Sequence, residues 1–199
     1  MKFKQYLKEN WKSLVIKISI FAVCLVVDLV TKAVFASKFS ERFSAGQYEN
    51  ITVIKGVLSF TYTENTGAAF SIFSNSTVFL TIFSVIFIAV FIWLDYSFKD
   101  KSPLSAVAVG LIVAGAFGNL VDRLFLRYVR DFISFDFLGN FPICNFADVC
   151  ISVGCVMYAI YFLVVTIKNN KKTSVEGDKN DNWLWWKTYQ TRLIFARKI

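Results

Sequence analysis

The stretch LSAVAVGLIVAGAFGNLV at residues 104–121 decides the fold class. It carries no charge over nearly the length of about 20 mainly apolar residues that a helix needs to cross a bilayer. Asp122 and Arg123 follow it at once. Gly110, Ala114 and Gly118 recur at four-residue spacing with Gly115 beside them, which gives one helix face small enough for a neighbouring helix to approach closely. Three more stretches qualify as spans, at about Leu14 to Phe35, Val78 to Leu94 and Val149 to Ile167. The expected fold is therefore membrane all-α, a bundle of four transmembrane helices. Of the 199 residues, 56% are hydrophobic and 18% charged, and 22 are Phe, a composition foreign to soluble domains. Four spans leave little chain for a separate soluble module, so one compact unit is expected.

The net charge of +8 does not point to nucleic acid, because of where the charges lie. Lys2, Lys4, Lys8 and Lys12 precede the first span, and Lys168, Lys171 and Lys172 follow the last. Both groups, and the short Lys99-Asp100-Lys101 turn, favour the cytoplasmic side. The expectation is a multi-pass membrane protein with both termini cytoplasmic and with residues of about 36–77 and 122–148 outside. Arg123, Arg127 and Arg130 run against that bias and call for local partners, with Asp122 and Asp131 at hand. The first span is long, carries Asp28 and Lys32 near its far end and lacks a convincing small-residue cleavage site, so it is read as retained.

The chain contains no histidine, which excludes Ser/His/Asp and Cys/His catalysis and removes the commonest transition-metal ligand. Cys24, Cys144, Cys150 and Cys155 lack metal-type pair spacing, and Cys24 and Cys155 sit in apolar runs as small hydrophobes. No metal, no cofactor and no disulfide framework are expected. Acid and base work must fall to carboxylates, Lys, Tyr or Cys.

The first outer connection, about 36–77, holds β-rich pieces at residues 51–54 and 57–63 around Gly56, and reads as a small sheet on the bundle. Residues 1–168 are then one membrane unit. Residues 169–199 form a basic cytoplasmic tail containing Trp183, Trp185 and Trp186. That tail reads either as a segment resting on the inner membrane surface or as one with no function.

Ionisable groups near membrane depth point to function or to a specific pair. Asp28 and Lys32, four apart on one helix face, read as a structural salt bridge near the outer boundary. In Asn65-Thr66-Gly67-Ala68-Ala69-Phe70, Asn65 can bond an extended peptide and Gly67 leaves room for it, although an ordinary turn would look the same. Asn119, Asp122 and Arg123 share one side of the third helix's end and can form a polar cluster. Asp131, nine residues after Asp122, would lie opposite it if that helix continued. Asn145 reads as the N-cap of the fourth helix, with Asp148 three positions on, where the helix start favours the ionised carboxylate. The 17-residue link from Asp131 to Asp148 can fold back and bring the two carboxyls together over the membrane boundary, as a shared acid/base site.

In that order, Asp28-Leu29-Val30-Thr31-Lys32, Asn65 to Phe70, Gly118 to Arg123, Val129-Arg130-Asp131-Phe132 and Asn145-Phe146-Ala147-Asp148 make the chain resemble the lipoprotein signal peptidases, or signal peptidase II, over about residues 12–168. The resemblance implies four membrane helices with an extracytoplasmic β-cradle. It also implies an aspartyl endopeptidase acting at the outer face of the bacterial cell (inner) membrane on diacylglyceryl-modified prolipoproteins, just before the lipidated cysteine. Asp131 and Asp148 match the catalytic aspartates. Asn65, Gly67, Asn119, Arg123 and Asn145 match positions that hold substrate or shape the site, and Asp28, Lys32 and Asp122 match polar support. Membrane lipid is the expected surrounding partner and a monomer the expected state. Arg130 stands where that family commonly has an apolar residue, and Cys144 where it often has an aromatic. The alternative from another class is a small membrane transporter or channel subunit, which would line a helix interior with polar groups.

Overall fold

The computed structural model describes residues 3–47, 49–67, 76–97, 102–139, 141–168 and 170. Four helices are long and apolar enough to cross a membrane. They are α1 (Phe3–Ser44), α2 (Thr77–Ser97), α3 (Pro103–Phe125) and α4 (Phe146–Lys168). Each expected span falls inside one of them, and α1 runs furthest beyond its apolar stretch. Chain contacts divide the protein into residues 1–158 and residues 159–199. Of the second unit, the described residues are the last turns of α4 and Asn170. The Trp-containing tail lies outside the described residues.

Within the first unit α3 is the central helix. Two-thirds of its apolar window, 67%, is buried by protein, against 11% for α1 and 6% for α2. On α1 the side chains of Val23, Val26 and Val30, and on α2 those of Phe79, Ile82 and Phe83, are more than half exposed, as side chains facing lipid must be. Ser102 caps α3 by accepting the Ser105 N–H at 3.1 Å, and Pro103 opens the helix where no donor is missed.

The small-residue face expected for α3 packs as read. A Cβ on Gly110 would meet Ile20 of α1 at 2.9 Å, and one on Gly118 would come within 2.3 Å of Asp28 Oδ2. On the α4 side, a Cβ on Gly115 would come within 2.3 Å of the Ala147 carbonyl oxygen, and one on Gly154 within 2.9 Å of the Ala108 carbonyl oxygen. Backbone and carboxylate occupy space that any other residue would fill.

The expected small sheet is present, with one strand more than the sequence reading placed in it. β1 (Asn50–Ile54) pairs antiparallel with β2 (Leu58–Asn65), and β2 with β3 (Val129–Ser134), in the order β1-β2-β3. Gly56, at φ 71°, turns the chain between β1 and β2. The sheet is tied to the end of α1 by Phe35, which stacks on Phe132 of β3 at 4.1 Å and meets Phe60 of β2 edge-on at 4.9 Å. The helical continuation considered for Asp131 does not occur. α3 ends at Phe125, its last turn closed by the Leu126 N–H on the Asp122 carbonyl at 2.7 Å. Arg127 then takes φ 72° and the chain enters β3.

A second polar contact lies toward the start of α1 and the end of α2. Lys17 pairs there with Asp95 at 2.6 Å, one residue beyond the apolar stretch expected for the second span.

Candidate active site

Asp131 is set by the sheet. In the β2–β3 register Thr63 faces Asp131 and Asn65 faces Val129, so the Asn65 side chain reaches Asp131 diagonally across the pair. Its amide donates to Asp131 Oδ2 at 2.9 Å. The other oxygen, Oδ1, accepts from the Asn145 amide at 2.6 Å. Neither amide is free to turn round, because its carbonyl end is held by a backbone N–H. Gly67 N–H donates to Asn65 Oδ1 at 2.9 Å, and Asp148 N–H to Asn145 Oδ1 at 3.0 Å.

Asp148 is set by the start of α4. Asn145 caps the helix as read, and the bond is reciprocated, since the Asn145 N–H donates to Asp148 Oδ2 at 3.1 Å. Asp148 Oδ1 accepts from the Asn119 amide at 2.8 Å. Asn119 thus bridges three elements, since its own Oδ1 accepts from Lys32 Nζ at 2.8 Å and from the Asn145 amide at 3.1 Å. β3 is pinned beside α4 by Cys144, whose carbonyl accepts from Phe132 and Ile133 and whose N–H donates to Ile133.

Asp131 and Asp148 line one cavity of about 250 Å³ together with Asn65, Asn119, Arg123 and Cys144. Asp131 is 2% exposed. Burial, and then the neighbouring Asp148 charge, push its carboxyl up to about 7, against the opposing pull of the Asn65 and Asn145 bonds and the Lys32 charge. Asp131 therefore keeps its proton far above the ordinary carboxylate range, up to about pH 7. The Cys144 thiol is pushed up to about 12 by burial and by the charges of Asp148 and Asp131, so it stays protonated and poorly nucleophilic. A second cavity, of about 280 Å³, shares Asn119, Arg123, Asp148 and Ile151 with the first and is otherwise lined chiefly by apolar side chains, among them Leu80, Phe83 and Phe87 of α2.

The remaining expected site residues find partners from several elements. Asn119, Asp122 and Arg123 do not close on one another as a single cluster. Arg123 reaches the Gly67 carbonyl at 3.3 Å, and Asp122 takes Arg130. Lys32 and Asp28 pair at 2.8 Å with essentially no exposure, as the sequence suggested. Asp28 also does something spacing alone does not disclose, since its Oδ1 accepts the Ala147 N–H of α4 at 3.0 Å. Arg130 finds the local partner its position required in Asp122, rather than in Asp131. Ala68, Ala69 and Phe70 of the Asn65 motif lie outside the described residues.

The family model for signal peptidase II matches residues 20–164. The lipoprotein signal peptidase of Clostridium acetobutylicum is 34% identical over 158 residues, covering 78% of this chain and 97% of its own. That of Clostridium tetani is 40% identical over 151 residues, covering 74% and 92%. A bacterial membrane enzyme structure obtained by the in meso method at 2.3 Å resolution superposes with a TM-score of 0.67 at 30% identity, covering 75% of this chain and 88% of that one. A second, at 1.9 Å, gives a TM-score of 0.64 at 30% identity, covering 74% and 92%. With its four membrane-spanning helices and small sheet, and with a family match that takes in every site residue named above, the chain belongs to the signal peptidase II family.

Proposed function

We propose that this peptidase removes the signal peptide of a diacylglyceryl-modified prolipoprotein, cutting before the lipidated cysteine, with Asp131 and Asp148 as an aspartyl dyad. The observation that carries the reading is the pinned pair itself. Two carboxyls from different elements line one cavity, with Asp131 held through both oxygens and its proton retained to about pH 7.

Asp148, which accepts two N–H bonds at the start of α4, takes the part of the base, and Asp131, whose carboxyl is raised, that of the acid. Water attacks the scissile carbonyl carbon and gives a proton to Asp148. Asp131 protonates the carbonyl oxygen, leaving a neutral tetrahedral intermediate. When the C–N bond breaks, Asp148 returns its proton to the departing amine and Asp131 recovers its own from the intermediate's hydroxyl. The second amide hydrogen of Asn65 and the room left by Gly67 suit an extended peptide beside the cavity, and Arg123 braces the Gly67 carbonyl. The adjoining apolar cavity against α2 suits a lipid chain of the substrate. The site lies at the extracytoplasmic face with both termini in the cytoplasm, a reading supported by the basic flanks of the first and last spans.

The test is cleavage of a diacylglyceryl-modified lipobox peptide by the purified full-length protein beside folded Asp131→Asn and Asp148→Asn variants. Loss of cleavage in both variants supports the dyad. Full activity in either one removes that residue from the mechanism, and no cleavage by the intact protein overturns the substrate assignment.

A further inference from the structure

Four charged side chains lie behind the dyad with little or no contact with solvent. Asp28, Lys32 and Asp122 have 0% to 1% of their side chains exposed and Arg130 has 15%. Two acids and two bases cancel, which is the condition under which such a group can be buried at tolerable cost.

The partition of bonds within the group is uneven. Arg130 gives Asp122 three donors, the backbone N–H at 3.1 Å, Nε at 3.2 Å and Nη2 at 2.6 Å, covering both carboxylate oxygens. Lys32 stands 3.7 Å from Asp122 but 2.8 Å from both Asp28 and Asn119. Lys32 is thus turned away from one carboxylate and toward the amide that serves the site. That orientation is available only because the other carboxylate is already satisfied. Without the Arg130 guanidinium, Asp122 would keep only the residue-130 backbone N–H and the Lys32 charge at 3.7 Å, and the ammonium would be drawn toward it.

We propose that Arg130 is a positioning residue for the dyad: by occupying Asp122 it leaves Lys32 to Asn119, and so holds the Asn119 amide toward Asp148. The role rests on the aspartyl reading given above. It acts through other groups, since Arg130 sits beside Asp131 in β3 and contacts Asp122, not the reacting atoms. Asn119 presents its carbonyl to Lys32 and Asn145 and its amide to Asp148. Loss of the lysine contact removes one of the two bonds that fix which end faces the dyad.

The charges around Asp131 come from each element packed about it: Lys32 of α1, Asp122 and Arg123 of α3, Asp148 of α4 and Arg130 in β3 itself, with Glu64 of β2 opposite Arg130 in register. Removing the Arg130 charge leaves this set one unit more negative, which favours the protonated form of Asp131.

The test measures kcat and KM against pH for the full-length protein and for Arg130→Met, Arg130→Lys and Asp122→Asn/Arg130→Met, on a diacylglyceryl-modified lipobox peptide in detergent micelles. For Arg130→Met the expected result is a fall in kcat of about tenfold, with KM changed by less than about twofold. The alkaline limb of the kcat profile should also move up by about one pH unit. Arg130→Lys, which keeps the charge, and the double variant, which removes the charge it balances, should each recover most of kcat and return the limb. The proposal is overturned if Arg130→Met lowers only thermal stability or yield, or if the double variant is as slow as the single one. An Asp131→Asn control separates the two readings. Cleavage by that variant overturns the dyad itself, whereas its loss beside a normal Arg130→Met profile overturns only the role of Arg130.

Discussion

Replacing Asp131 with Asn should make the protein less stable in acid and more stable in alkali than the native chain. The folded protein raises the Asp131 carboxyl from 3.8 to about 7, chiefly by burial and then by the Asp148 charge. About three pH units at about 1.4 kcal/mol each gives about 4 kcal/mol. Because the folded value is the higher one, that stability is fully present below about pH 4 and is lost as pH rises through 7. The amide escapes this loss but meets another cost. Both Asp131 oxygens accept from NH2 groups whose opposite ends are pinned by the Gly67 and Asp148 backbone. One end of the substituted amide would therefore set donor against donor, at about 1–3 kcal/mol independent of pH. The variant should be weaker by about 1–3 kcal/mol at pH 4 and stronger by a similar amount at pH 8, with the two curves crossing near pH 5. Reversible unfolding by SDS titration of mixed micelles, followed by circular dichroism at several pH values, measures the difference. Parallel curves between pH 4 and pH 8 would refute the account of Asp131 as the buried proton carrier.

Gly115→Ala drives a Cβ into the Ala147 carbonyl, where α4 begins. It should cost about 1–3 kcal/mol in the same unfolding assay and lower cleavage through displacement of Asp148. Asn119→Ala removes the amide bond to the Asp148 carboxyl, worth about 1.5–3 kcal/mol on the proposed role of Asp148 as base. It should reduce kcat by about 10- to 100-fold with a smaller change in KM, in steady-state assays. Cys144→Ala should keep kcat within about threefold, since a thiol held near 12 takes no part in proton transfer near neutrality. Chelation by EDTA should leave cleavage unchanged, because every proton in the proposed cycle is carried by Asp131 and Asp148.

The helices could be read from the sequence because a span is a matter of length and hydropathy, and residues 104–121 meet both conditions without interruption. The α3 glycines were equally readable, since their spacing alone marks a close-packing face. The third strand was not. In β3, Val129, Asp131 and Phe132 are all buried while Arg130 is partly so, so the apolar alternation that identifies a strand is absent. The break before it gives no signal either, since the left-handed turn residue is Arg127 rather than Gly or Asn. In the site, the Asn145–Asp148 cap was legible because it is local. The partners of Asp28, Asp122 and Asn119 were not, because each comes from an element brought in by tertiary packing. Spacing could show that Asp28 faces Lys32, but not that its other oxygen holds Ala147, 119 residues later.

That last bond has a bearing on biogenesis. The chain is made from α1 toward α4, so Asp28 and Lys32 enter the bilayer long before the backbone N–H that Asp28 finally accepts has been synthesised. As an i,i+4 pair they neutralise one another in the interim and lighten the insertion of α1. When α4 arrives, one carboxylate receives the start of the incoming helix and fixes it one residue from Asp148. A nascent chain that stops short of α4 holds Asp131 but no second carboxyl beside it. On the proposed dyad, the site is therefore complete only when the last membrane segment is in place.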